Sequence, residues 1–186
     1  KLRTEAIFEK RFGYDPKPCY DAGLIAAFHD WPAGGGNLNY PRVYREGLAS
    51  MIKEVEERQI ALEMRLPNLT KFYFYESSLI VMRAAIRYAH RYAELAREMA
   101  AKEKNEARKA ELISLAETCE WVPENPARNL REAIQCHFFC HIIAELEQIG
   151  CGYSQAYLGQ NLEPFYQADK AAGLITYEDA VFMFKN

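Results

Sequence analysis

Apolar side chains return at helical spacing over four stretches of the chain and show no period over its first forty residues. From Arg42 to about Arg65, Val43, Leu48, Met51, Ile52, Val55 and Leu62 recur at helical spacing, with Lys53, Glu54, Glu56, Glu57 and Arg58 largely between them. That pattern predicts an amphipathic helix. After Pro67-Asn68 a longer one is expected from about Thr70 to Lys104, with Phe72, Tyr75, Leu79, Met82, Ile86, Tyr88, Ala89, Tyr92, Ala93, Leu95 and Met99 as its apolar set. Asn105 separates a shorter helix, roughly Glu106 to Cys119, in which Leu112, Leu115 and Ala116 share a face. Pro123 and Pro126 forbid its continuation, because proline lacks the amide and restrains the preceding residue.

Asn129 followed three positions later by Glu132 has the form of a capping box, so a fourth helix should start there and run to about Gln148, where Gly150 and Gly152 end it. Tyr153 to Tyr166, with Gly159 and Pro164, reads as extended or turning. Thr176 with Asp179 starts a further helix. At the other end, Pro16, Pro18, Pro32 and the run Gly34-Gly35-Gly36 make residues 1–41 an irregular loop region. The expected organisation is thus loop (1–41), helices (42–149), then a turn or strand and a helix start (150–186). Such a chain is mainly α with few short strands. At 186 residues it is long enough for one domain with a core. It opens KLRTEAIF and closes VFMFKN inside an apolar run, so both ends read as cut.

Charge narrows the partners. With 23 basic and 26 acidic side chains the formal net charge is -3, and the basic residues alternate with acids instead of forming a block, which disfavours nucleic acid. No apolar run reaches the roughly 18–20 residues that span a bilayer, and no signal peptide opens the chain. A soluble cytoplasmic protein without membrane partners is expected. The 5 cysteines form an odd count, and Cys119, Cys136 and Cys140 fall in apolar helical segments. They read as small hydrophobes in a reducing compartment.

Three groups of residues invite a chemical reading. Cys136, His137, Cys140 and His141 lie at i, i+4 spacing and could share a metal ion, but zinc needs about four ligands and His29 and His90 stand alone, so a packed helix is the better reading. Glu145 and Glu147 are two residues apart, on different helical faces, and do not form an acid–base pair by themselves. The loop from His29 to Tyr40 joins hydrogen-bonding side chains, Trp31 and three glycines that let backbone approach a ligand.

The run WVPENPARNLREAIQ (Trp121 to Gln135), the turn GCGYSQAYLGQNLEPFY (Gly150 to Tyr166) and the following GLIT resemble the pyruvate formate-lyase type of glycyl radical enzyme, whose pattern is VPxNPAxxFxEAxQ, then GxSxxRxxQxxxPxYxxDxxxGxIT. NLNYPRVYREGLASMI (Asn37 to Ile52) resembles the family's GHxxxDYxKVLxxGLxGI at Tyr40, Val43, Gly47, Leu48 and Ile52. Phe72 to Gln135 is similar to the family over nearly its whole length. Departures are Asn39 for the usual Asp, Gly35 where several dehydratases have a substrate-binding His, Gln155-Ala156-Tyr157 for Pro-Gly-Arg, and Leu158-Gly159-Gln160 for Phe-Asp-Gln.

The resemblance implies that the chain is an N-terminal-half fragment of an α/β ten-stranded glycyl radical enzyme barrel, contributing outer helices and a few short strands. It implies radical cleavage of a carbon–carbon or carbon–heteroatom bond in a small-molecule substrate. A glycyl radical, installed by a radical SAM activating enzyme, would oxidise a cysteine to a thiyl, in a full-length enzyme expected to be a homodimer. Both radical loops lie outside this chain, which carries no catalytic residue or metal and should be inactive alone. Substrate-binding candidates are His29, Asp30, Asn37, Ser154 and Gln155. The subclass stays open among dehydration, amine or sulfonate elimination, arylacetate decarboxylation, alkylsuccinate formation and pyruvate cleavage. The alternative is a stand-alone helical protein that uses Phe72-Tyr73-Phe74-Tyr75 and the Cys/His helix as an interaction or metal surface.

Overall fold

The computed structural model describes Gly13, Pro18 and residues 38–63, 65–147, 154–155 and 157–185. The expected loop of 1–41, with its candidates His29, Asp30 and Asn37, therefore lies almost wholly outside the described residues. Those described form helices α1 (Tyr40–Ile60), α2 (Leu69–Lys102), α3 (Glu106–Trp121), α4 (Leu130–Glu147), α5 (Leu158–Ala171) and α6 (Tyr177–Lys185), with a 3-10 turn at Leu66–Asn68. The mainly helical expectation holds. The few short strands expected do not appear among the described residues.

The stretch expected to be extended, Tyr153 to Tyr166, is instead mostly α5. Its helix starts abruptly at Tyr157, which takes a left-handed φ of 52°, and Pro164 sits inside. Proline within a helix leaves the carbonyl four residues back without its amide partner. That carbonyl belongs to Gln160, and both Gln160 and Pro164 are exposed, so water can replace the missing bond.

α2 and α3 form an antiparallel hairpin across residues 103–105, where the Asn105 side chain accepts from the Arg108 amide at 3.1 Å and caps α3. Its seam keeps Ala89 and Ala93 of the expected apolar set and adds Ala96 and Ala100. Ala89, Ala93, Ala96 and Ala100 are the buried positions of α2 in this region, with Leu112, Ala116 and Cys119 buried on α3, while Ala85 lies in the core formed with α1 and α4. Spacings of four and three residues keep these methyls on one stripe, as in a coiled coil, and small side chains let the two backbones come close. The larger Tyr92, Leu95 and Met99 point away from that seam and stay exposed.

α1 is broken at Gly47, whose backbone (φ 71°, ψ 159°) only glycine adopts readily. The break exposes backbone groups, and the loop after α3 takes them up. Leu48 and Ala49 amides donate to the carbonyls of Pro123 (2.8 Å) and Glu124 (2.9 Å), and the Ala127 amide donates to Tyr44 O (2.8 Å). The same loop is pinned by Trp121 Nε1, which donates to Pro126 O at 2.7 Å, and by the Arg128 guanidinium 4.2 Å over the Trp121 ring. The VPENPAR motif is therefore a clasp that fixes α1 against the start of α4.

α4 begins as the capping pattern implies, with a variation. The Glu132 amide donates to Asn129 Oδ1 at 2.9 Å, while the Glu132 carboxylate accepts from the Arg128 amide at 2.7 Å and from its guanidinium. The Leu130 amide, an orphan of the first turn, donates at 2.8 Å to the buried Asp169 of α5. At α6 the expected pair is complete: the Thr176 amide donates to Asp179 Oδ2 and the Asp179 amide to Thr176 Oγ1, at 2.8 and 3.1 Å.

Candidate functional site

With α1 clasped to α4, two i, i+4 pairs face one another. Tyr40 and Tyr44 lie on one face of α1, and His137 and His141 on one face of α4, because residues four apart in a helix project the same way. Tyr40 and Tyr44 are fully buried and His137 nearly so. The Tyr44 hydroxyl lies 2.6 Å from His137 Nδ1, and the Tyr40 hydroxyl 3.1 Å from His141 Nδ1. The Tyr40 and His137 rings pack with centroids 4.0 Å apart, and the two imidazoles are nearly parallel at 10°.

Gln155, from the turn before α5, closes the arrangement. Its Oε1 contacts His137 Nε2, and its Nε2 lies 3.2 Å from His141 Nε2. Two imidazoles, each backed by a buried tyrosine, thus meet one exposed carboxamide. Glu145, one turn beyond His141, is half-buried with its carboxylate 3.9 Å from His141 Nε2. Ser154 is exposed beside Gln155.

Burial sets the charge state here. It lowers the His137 pKa, with the nearby His141 adding to the effect and the Gln155 contact opposing it. Burial raises the Tyr44 phenol well above its ordinary range, with Cys136, Cys140 and Tyr40 adding smaller contributions. Around neutral pH His137 and Tyr44 are uncharged, so these two groups orient their partners without supplying a charge.

The Cys/His helix receives an account that the metal pattern left out. Both ring nitrogens of His137 and of His141 are engaged with tyrosine and glutamine. Among the described residues no group of three or more His, Cys, Asp or Glu could hold a metal ion. Cys136 is fully buried, its thiol pKa raised by a hydrogen bond with Cys140 and by burial. Burial alone raises the Cys119 thiol to about 11.

Two clefts flank this region. One of about 510 Å³ carries Arg128, Glu132, Asp169 and Asp179, whose charges are already committed to ion pairing and helix capping. Another of about 460 Å³ borders His137 and is mostly apolar, with Leu115, Ile134, Phe138, Leu158 and Phe182 among its walls.

Of the sequence candidates, the structure places Ser154 and Gln155 side by side in the turn and ties Gln155 to α4. It brings in Tyr40, Tyr44, His137 and His141, which sequence reasoning did not join to them. The signal was present as Tyr-x-x-x-Tyr and His-x-x-x-His, two i, i+4 pairs.

Comparison with known proteins is consistent along the chain. Residues 2–186 match the family model described as pyruvate formate lyase-like. The isethionate sulfite-lyase of Oleidesulfovibrio alaskensis is 42% identical over 146 residues, which are 77% of this chain and 18% of that protein. The structure of hydroxyproline dehydratase from Clostridioides difficile, with trans-4-hydroxy-L-proline bound, superposes with a TM-score of 0.78 at 31% identity, covering 90% of this chain and 22% of that one. The glycerol-bound B12-independent glycerol dehydratase from Clostridium butyricum gives 0.75 at 32% identity, covering 81% and 19%. The chain spans about a fifth of the length of these relatives.

Proposed function

Because the chain belongs to the pyruvate formate lyase-like family, we propose that it is the part of a glycyl radical lyase that supplies outer helices and one wall of the substrate cavity. The rest of the protein completes a ten-stranded α/β barrel around it. The observation that carries this reading is the family match over residues 2–186. Relatives named as a sulfite-lyase, dehydratases and a decarboxylase support cleavage of a carbon–heteroatom or carbon–carbon bond in a small organic substrate.

The radical-bearing groups do not belong to these residues. None of the 5 cysteines stands after a glycine and three places before a proline, and the described ones that are buried carry raised pKa values. The full-length enzyme would supply hydrogen-atom abstraction through a glycyl radical installed by a radical SAM activating enzyme, in a cytoplasmic homodimer. This chain's own residues bind and enclose. The clasped pair α1 and α4 fixes the turn at Ser154 and Gln155, and the exposed Gln155 amide meets substrate with Ser154 beside it. His29, Asp30 and Asn37 complete the substrate contacts from the preceding loop. The apolar cleft beside His137 is covered by the rest of the protein, which keeps water from the reacting groups.

The full-length protein, co-expressed with its activating enzyme and assayed without oxygen against isethionate, trans-4-hydroxy-L-proline, glycerol and indoleacetate, tests this. Turnover of one of them, with KM raised in Ser154→Ala or Gln155→Ala, supports the reading. Turnover with KM unchanged in both variants removes these contacts, and consumption of substrate by the 186-residue chain alone would overturn the assignment of chemistry to the remainder.

A further inference from the structure

We infer that His137 and His141 are positioning residues, neutral and in opposite tautomers, that fix the Gln155 amide in one orientation toward the substrate side of the turn. Gln155 as a substrate contact rests on the function proposed above; the geometry that holds it does not.

Each contact needs one donor and one acceptor, and the chain of contacts leaves few ways to supply them. Gln155 Oε1 can only accept, so the His137 Nε2 that meets it carries the proton. His137 Nδ1 is then an acceptor, and the Tyr44 hydroxyl donates to it. Gln155 Nε2 can only donate, so the His141 Nε2 that meets it is bare. The His141 proton therefore sits on Nδ1 and is donated to the Tyr40 hydroxyl. Turning the amide over would reverse both rings together, so the two histidines are of opposite kind in either case. A doubly protonated His141 would set an N–H against the Gln155 NH₂.

The consequence is at the exposed end of Gln155. One amide hydrogen and one oxygen lone pair are held by the histidines, and the second of each faces outward with its direction fixed. A glutamine free in solution explores several rotamers and both amide orientations, at an entropic cost on ordering. Here that cost is met on folding, through rings buried for other reasons.

Neutron diffraction from D₂O-exchanged crystals of the unactivated full-length enzyme tests the inference without turnover. Deuterium on Nε2 alone in His137 and on Nδ1 alone in His141, with the Gln155 nitrogen toward His141, is the expected result. The same tautomer in both rings, an amide in mixed orientations, or a ring deuterated at both nitrogens overturns it. His141→Ala should leave the Gln155 amide in mixed orientations and raise KM about tenfold, near the worth of one buried hydrogen bond. His141→Gln, which returns an acceptor, should restore both, and a single fixed amide in His141→Ala contradicts the positioning role. If the deuterons are as assigned while Gln155→Ala leaves KM unchanged, the substrate contact fails and the positioning stands; misplaced deuterons with a raised KM in Gln155→Ala mean the converse.

Discussion

Gly47 and Glu124 approach so closely that a Cβ on Gly47 would stand 2.4 Å from the Glu124 carbonyl oxygen, with Asn125 backbone atoms at 2.6 and 2.7 Å beside it. Real Cβ atoms do not come that near, and backbone on both sides of the contact cannot turn aside. The approach is what lets the loop after α3 satisfy the broken turn of α1 and bring Tyr40 and Tyr44 against α4.

Gly47→Ala therefore combines the clash with a backbone conformation that costs an L-residue roughly 1–3 kcal/mol by itself. A total loss of about 3 kcal/mol or more is expected, seen as lower soluble yield and faster thermal inactivation of the full-length protein. Wild-type yield and inactivation would show that the clasp is dispensable.

Asp169 is nearly buried and accepts the Leu130 amide across 39 residues of sequence. Asp169→Ala leaves that amide without a partner and should cost about 1–3 kcal/mol. Asp169→Asn keeps an oxygen in place and should recover most of it. Equal losses in the two variants, measured by thermal inactivation, would mean that the capping bond is not what Asp169 contributes.

These two contacts also mark how far the sequence could be followed. The helices of α1 through α4 were legible because apolar spacing and the breakers Pro67, Asn105 and Pro123 are local signals. α5 was hidden because Pro164 and Gly159 suggest a turn locally, while the penalty for proline depends on whether Gln160 O can reach water, a tertiary fact. The alanine seam of α2 was legible only at Ala89 and Ala93, for a related reason: size does not reveal which of two apolar stripes meets α3. The candidate arrangement was half legible. Ser154 and Gln155 stood out through family resemblance, whereas the facing of Tyr40 and Tyr44 with His137 and His141 depends on the Gly47 break, which no periodicity encodes.

His137 provides a pH signature. Its folded pKa is lowered, so the unfolded chain binds a proton more readily below the ordinary histidine value of about 6.5. Stability should be full above that value and fall as pH drops through it toward the folded pKa. His137→Gln removes the titrating group, and its inactivation rate between pH 7.5 and 5.5 should vary less than wild type. An unchanged pH dependence would show that His137 does not hold its proton affinity down on folding.

Cys119, with its thiol raised to about 11 by burial, carries almost no thiolate at neutral pH, and Cys136 is shifted in the same direction. Alkylation with N-ethylmaleimide, followed by mass spectrometry, should mark both only after unfolding. Labelling of the native protein at the rate of a free thiol would contradict their burial.

The most direct measurement is an electron paramagnetic resonance spectrum of the full-length protein, incubated anaerobically with its activating enzyme, S-adenosylmethionine and reductant. The account predicts a carbon-centred glycyl radical signal, collapsing on exposure to oxygen with cleavage of the chain at a glycine beyond residue 186. Full-length protein that turns over substrate without such a signal, or a radical located within the 186 residues, would contradict it.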